Sequence, residues 1–478
     1  MASPARTEFK HLIASVNQMT EHRHIDRILD FASTTRWHGL PKSTCAHVKA
    51  LIVDSFTVLP AGYRAVGCRQ IVELLGQWPA KPGASVLFNT LKLPPPTAAM
   101  VNATLAEAWD FDDTHDAAIV HCVSPVLYSA LAAAEDAAQP VDGGEFLTAV
   151  AVALEVVSRL GMACTSPLTW TRTATLGGMA GALAAARLSN LTREQMHNAA
   201  GIAYMQAAGN SQTIVDAATA KKMQVGFAAR AAVLGTLLAA RGLTGPKDIL
   251  EGKYGYYELY ERGDHTLDAA MQGLGSNWEI DNISVKPFPC ARETHAAIFA
   301  GLNATEGRKV PLADIGRVVV SGPGILKSIS GRPTASAGAA AVVSAHLSIP
   351  YTVAVILLEG DLTLADFTES QITRPERQKL TSIVAVEADE ALPFNDLGPA
   401  EVTVILKQGK VLHGTCASLA KGIESATDVS LMERKRRACI GMSEHPRVAE
   451  FLSRVTDVVD KAEDTPDFAR AVIRCLAP

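Results

Sequence analysis

Four consecutive stretches of this chain, residues 143–162, 173–188, 192–208 and 217–241, repeat apolar residues at intervals of three and four, and only short joints containing Gly, Ser or Pro interrupt them. A chain with that pattern packs helix on helix. Its interior must be built from small side chains, because 48% of residues are apolar but only 5% are aromatic. Ala, Val and Leu suit close helix contacts better than a sheet sandwich that needs large side chains. Thr192, three residues before Gln195, reads as a capping box at the start of the third stretch, and Gly242 as the stop after the fourth. Residues 25–59 and 97–139 carry the same periodicity, so the whole first half is expected to be helical. Gly177, Gly178 and Gly181 read as points of close helix packing.

The character changes after Trp278. Runs beginning at Ile315, Leu380 and Ala400 are short, β-branched and bounded by Gly, Asp or Pro, which predicts strands. Residues 350–357 and 363–367 between them look helical, and 431–475 are helical again. The expected fold is mainly α with an α+β lid: a large all-helical domain over 1–284, an inserted smaller α+β domain over 285–426, and C-terminal helices over 427–478 that return to complete the helical domain. A chain of 478 residues is long enough for two such units.

The formal net charge of −5 offers no summed positive field, so nucleic acid is not expected as a partner, whereas a small anion needs only a few local cations. The opening residues 1–10 contain no apolar core of a leader. Glu155, His346 and Pro350 cut later apolar runs, so the expectation is a cytoplasmic protein with no membrane partner. Eight scattered cysteines without C-x-x-C spacing read as reduced thiols and leave no cluster for iron and sulfur. Gly322-Pro-Gly324 lacks the third glycine of a dinucleotide fingerprint, and no P-loop or G-x-S-x-G elbow is present. No cofactor is expected.

Three polar clusters stand out against the alanine background. Asp110-Phe-Asp112-Asp113-Thr-His115-Asp116, with His121 downstream, places four carboxylates and two imidazoles within twelve residues. On a helix Asp112 would share a face with His115 and Asp116, bringing a base to its orienting carboxylate; a solvated loop with Asp caps is the plainer alternative. No H-E-x-x-H or paired-His spacing supports a metal, and none is expected. Lys221-Lys222 lies in a largely apolar helical stretch, where a lysine either snorkels outward or serves as acid, base or carboxylate ligand. Lys286, Arg292 and His295, at the expected domain junction and stiffened by Pro287 and Pro289, form either a convergent anion site or an ordinary charged linker.

In this order and at these separations the clusters resemble the MmgE/PrpD family of 2-methylcitrate dehydratases, cis-aconitate decarboxylases and iminodisuccinate epimerases. Further matching pieces are Ala153-Leu-Glu-Val-Val-Ser-Arg159, Lys221 five residues before Gly226-Phe-Ala-Ala-Arg230, Gly242-Leu-Thr-Gly-Pro, Lys286-Pro-Phe-Pro-Cys290 with His295, and Ser348-Ile-Pro-Tyr351. The resemblance implies a helical domain with a lid, a homodimer, no metal, and a site between domain and lid formed by the Asp cluster, His121, Lys221 and His295. One position departs from it: Thr169-Trp170-Thr171-Arg172 stands where the family shows a histidine after Gly-Trp or Gly-Phe, so Thr171 replaces an imidazole and Arg172 adds a cation. On that basis the expected reaction is dehydration of a citrate-type tricarboxylate, 2-methylcitrate or a longer 2-alkylcitrate. The alternatives are decarboxylation of a cis-aconitate-like acid, epimerisation of a dicarboxylate, and a binding protein of the same fold without catalysis. His121 and Lys221 are assigned to proton transfer, Asp112 or Asp113 to orienting the imidazole with His115 nearby, and Asp110, Thr171, Arg172, Lys222, Lys286, Arg292 and His295 to holding the substrate.

Overall fold

Small side chains let the helices of the first half approach closely. The computed structural model describes residues 23–332, 334 and 337–476; the opening residues 1–10, read for a leader, lie outside them. The elements that build the helical part are α1 (His24–Thr34), α2 (Lys42–Gly62), α3 (Pro95–Glu107), α4 (Val123–Asp136), α5 (Gly143–Met162), α6 (Arg172–Leu188), α7 (Arg193–Tyr204) and α8 (Met223–Ala240). Helix α8 packs on α3, α6 and α7, and α6 also packs on α4 and α5. The expected capping box is present: Thr192 Oγ1 accepts from the Gln195 amide while Gln195 Oε1 accepts from that of Thr192.

Glycine decides two of these contacts. A Cβ at Gly177 would lie 2.8 Å from Pro125 Cγ on α4, and one at Gly226 would collide with the Thr104 hydroxyl and sit 2.6 Å from the Met100 carbonyl. The small-residue surface at 177–186 is therefore spent on close packing inside the chain, as read from its glycines, and all of α6 is buried. Thr219–Ala240 is the one helix among the described residues long and apolar enough to cross a membrane, and most of it is buried against its neighbours.

The second half adds a small sheet, so that the chain as a whole is mainly α with a small α+β part, as expected. Helix α9 (His295–Thr305) and α10 (Ile349–Glu359) pack beside β3 (Ile315–Gly322), β4 (Val384–Ala388), β5 (Ala400–Leu406) and β6 (Val411–Cys416). The strand order is β4-β3-β5-β6, with β3 and β4 parallel and the other pairs antiparallel. Ser348 caps α10 by accepting from the Tyr351 amide at 3.2 Å. Two expected strand bounds move. The run at Leu380 begins as a helix because Pro375 starts a turn over Pro375–Thr381, and the run at Ala400 ends at Leu406, where Gly409 turns into β6 at φ +85°. Helices α11 (Val429–Met442), α12 (Val448–Asp460) and α13 (Phe468–Arg474) follow, and α11 and α12 pack against α2 in the helical core.

Candidate active site

The acidic cluster is not a helix. Helix α3 ends at Glu107, Asp110 adopts a left-handed conformation (φ +49°), and Asp113–His115 then forms β1, paired antiparallel with β2 (Ile283–Val285). Asp tolerates that conformation better than most residues. The ladder to β2 takes up the backbone groups that a helix would have used, and it carries Lys286, one residue past β2, beneath the cluster. Lys286 Nζ donates to the Asp110 carbonyl at 3.0 Å and reaches Asp112 Oδ1 at 3.3 Å, with no part of Lys286 exposed.

Lys221 arrives from the other side. It sits in a single 3-10 turn, Thr219–Lys222, rather than in the body of the helix, and the approach of α8 to α3 at Gly226 sets it against the end of α3. Its ammonium pairs with the Asp110 carboxylate and lies 3.6 Å from Glu107 Oε1. Burial in an apolar helix would lower a lysine, but here the Asp110 and Glu107 carboxylates outweigh burial and hold Lys221 above its ordinary value. It keeps its proton. Asp110 is held well below the carboxylate range, since the Lys221 and Lys286 ammoniums outweigh its burial.

His121 donates from Nδ1 to the Asp113 carbonyl at 2.7 Å, and the Asp112 carboxylate lies 3.4 Å from the same nitrogen. Only Nε2 is then free for chemistry. Burial pushes the imidazole below 6.5, with the Asp112 carboxylate pulling the other way. The orienting group is thus the Asp112 carboxylate together with the backbone of Asp113. The Asp113 carboxylate caps α4, accepting from the Cys122 amide at 2.7 Å and the Val123 amide at 3.1 Å. Burial and the neighbouring Asp112 push Asp113 up to about 8 against the pull of those amides.

These groups form one wall of a cleft that is partly open to solvent. Of the residues expected at the site, Asp110, His121, Thr171, Arg172, Lys221 and Arg292 line it, and Asp112 lies behind His121. Thr171 Oγ1 is 3.4 Å from Gln224 Oε1. Arg292 is committed to a two-pronged pair with Asp116 at 2.9 Å on each arm, so its charge is already met. Arg172 donates to the carbonyls of Ala118 (3.2 Å) and Ser166 (3.0 Å) and has no carboxylate partner among the described residues.

Besides Asp112, five expected residues do not line the cleft. Asp113 is spent on its cap. His115 is buried in β1, where its Nδ1 accepts from the Ala118 amide. Lys222, expected to hold the substrate, is buried and donates to the Val66 carbonyl at 2.7 Å, because successive side chains diverge sharply in a 3-10 turn. Lys286 lies under the cluster. His295 is fully buried against Phe288, with Nε2 3.3 Å from the Cys290 carbonyl; burial and Arg292 hold it far below 6.5, so it remains neutral.

Two residues of the cleft wall carried no signal in the sequence. Gln224 reads as an ordinary helix former. Glu107 is one carboxylate at the end of an Ala-rich helix; its only mark is a position three residues before Asp110.

Glu107, Asp112 and His121 bring possible ligand atoms within 4.8 Å of one another. Two ammoniums already stand 3.6 and 3.3 Å from these carboxylates, so a divalent ion would meet like charge. Treatment with excess EDTA is accordingly expected to leave turnover unchanged. Activity lost to the chelator and restored by one divalent ion would contradict this.

Sequence profiles of the MmgE/PrpD N-terminal domain and the MmgE/PrpD C-terminal domain match residues 26–267 and 288–450. A cis-aconitate decarboxylase of Aspergillus terreus is 28% identical over 467 residues, spanning 90% of this chain and 93% of its own length. The cis-aconitate decarboxylase of Homo sapiens is 29% identical over 335 residues, 67% of each chain.

Proposed function

The chain belongs to the MmgE/PrpD family and is a lyase, and from that premise we propose that it decarboxylates a cis-aconitate-type polycarboxylate. The observation that carries this reading is likeness to a cis-aconitate decarboxylase over nine-tenths of both chains. It moves the expected dehydration of a citrate to second place. Losing carbon dioxide from a methylene carboxylate needs somewhere for the electron pair to go. In cis-aconitate the neighbouring C=C receives it when a proton is added at the far alkene carbon, giving 2-methylenesuccinate.

The cleft supplies what that step needs. His121 Nε2 is the group for the proton: neutral in the empty cleft, it is favoured as imidazolium once carboxylates bind beside it, with Asp112 behind to support the charge. Lys221 keeps its charge and presents an ammonium. Arg172, the guanidinium of the wall without a carboxylate partner, is assigned to a substrate carboxylate. Ile119, Leu168, Ile214 and Leu347 line the rest of the cleft, leaving apolar room for an alkyl substituent on the acid. A homodimer, implied by the family resemblance, belongs to this proposal as well.

Arg172→Gln is expected to raise KM by about 10- to 100-fold, the worth of a charged hydrogen bond, with kcat changed much less. An unchanged KM would remove Arg172 from substrate binding. The reading as a whole is tested by incubating the protein with cis-aconitate, alkyl-substituted cis-aconitates, citrate and 2-methylcitrate and following products by NMR. Release of carbon dioxide from an aconitate supports it; dehydration of a citrate without decarboxylation would overturn it.

A further inference from the structure

Three carboxylates, Glu107, Asp110 and Asp112, meet two ammoniums, Lys221 and Lys286, in one buried cluster. If all five were ionised, one negative charge would be left over in the wall of a cleft that receives polyanions. Two oxygens show where the imbalance lies. Glu107 Oε2 and Asp112 Oδ2 are both buried without a hydrogen-bond partner, and both residues belong to the group whose polar atoms lie within 4.8 Å of one another and of His121. An ionised carboxylate oxygen in that position would lack compensation, whereas a proton placed between the two would satisfy both at once.

We propose that Glu107 is a positioning residue that works as a neutral carboxylic acid, its O–H donating to Asp112, fixing that carboxylate beside His121 Nδ1 and sparing the cleft the unbalanced charge. The groups facing Glu107 agree with this assignment. Asp112 and Asp110 both disfavour its ionisation, and Lys221 is largely committed to Asp110. Lys222 donates to the Val66 carbonyl, Lys286 lies with Asp112 and the Asp110 backbone, and His121 is turned to Asp113. Burial and the Asp112 carboxylate push Glu107 well above the usual carboxylate range, more than Lys221 restores. No covalent step is assigned to Glu107. It acts through Asp112 on the orientation and charge of His121, and this role rests on the proposed reaction only for its kinetic readout.

Two measurements test it. Infrared difference spectroscopy of the whole protein at neutral pH, wild type against Glu107→Gln, should show a protonated-carboxyl C=O band that the variant lacks. This readout needs no substrate. In kinetics, Glu107→Gln offers an amide N–H to Asp112 and no charge, so it should keep kcat within about threefold of wild type. Glu107→Ala should lose about a hundredfold in kcat, with KM changed less. Absence of the infrared band overturns the proposal, and so does a Glu107→Gln protein as impaired as Glu107→Ala. If the wild type turns over nothing in the substrate panel, the functional reading fails, and the infrared band still decides the state of Glu107.

Discussion

Lys221→Ala should lose turnover by about a thousandfold or more and cost about 3–5 kcal/mol of stability. Both effects have one cause. The ammonium is the partner of the buried Asp110 carboxylate and stands 3.6 Å from Glu107, so its removal strands a charge that was taken out of water only because it was paired. The same ammonium faces the cleft. Lys221→Arg separates the two consequences: it keeps a charge opposite Asp110 and should recover most of the lost stability, while its larger planar head disturbs the fit to the substrate. Denaturant unfolding monitored by circular dichroism, alongside a turnover assay, reads both quantities. An alanine variant within about 1 kcal/mol of wild type and still active would show that the pair carries neither load.

The second large effect is expected at His121. His121→Ala should lower kcat by about 10²- to 10⁴-fold, the usual worth of a positioned proton-transfer group. The stability change should be only about 1–2 kcal/mol, because the imidazole is partly exposed and what remains behind it is one underused Asp112 oxygen. The wild-type pH profile carries the complementary signature. Burial holds the free imidazole below 6.5, and bound carboxylates raise it. The protonated form is the donor, so activity falls as pH rises through its pKa. The fall in kcat/KM, which reports the free protein, should therefore come at lower pH than the fall in kcat, which reports the complex. Coincident limbs, or a rise with pH, would show that His121 is not the donor.

Much of this architecture was legible in the sequence where a periodic pattern or a cap determines local structure. The helix over Gly143–Met162 matches its expected bounds, as does the strand over Ile315–Gly322, and the Thr192 capping box is formed as written. The acidic cluster was legible as a site but not as a shape. Spacing left a helical face through Asp112, His115 and Asp116 open beside a solvated loop, whereas pairing with Ile283–Val285, about 170 residues away, turns the segment into a strand and sends His115 inward. Lys221 and Lys222 show the same limit. Lys222 was assigned to the substrate beside Lys221, but a 3-10 turn and the Val66 carbonyl draw it away from the cleft. The apolar neighbours of Lys221 in sequence are not its neighbours in space, which are Asp110 and Glu107. Glu107 was invisible because nothing in an Ala-rich helix reveals which single carboxylate ends beside a cluster formed by a later turn.

In the proposed reaction, proton delivery and loss of carbon dioxide occur together at the wall formed by His121, Lys221 and Arg172. The most direct measurement is turnover of cis-aconitate in deuterium oxide, followed by NMR together with quantitation of released carbon dioxide. One carbon dioxide per product is expected, with one deuterium on the saturated CH2 of the 2-methylenesuccinate, and His121→Ala should form neither product nor label. Deuterium exchange into cis-aconitate or a hydrated product without release of carbon dioxide would contradict it.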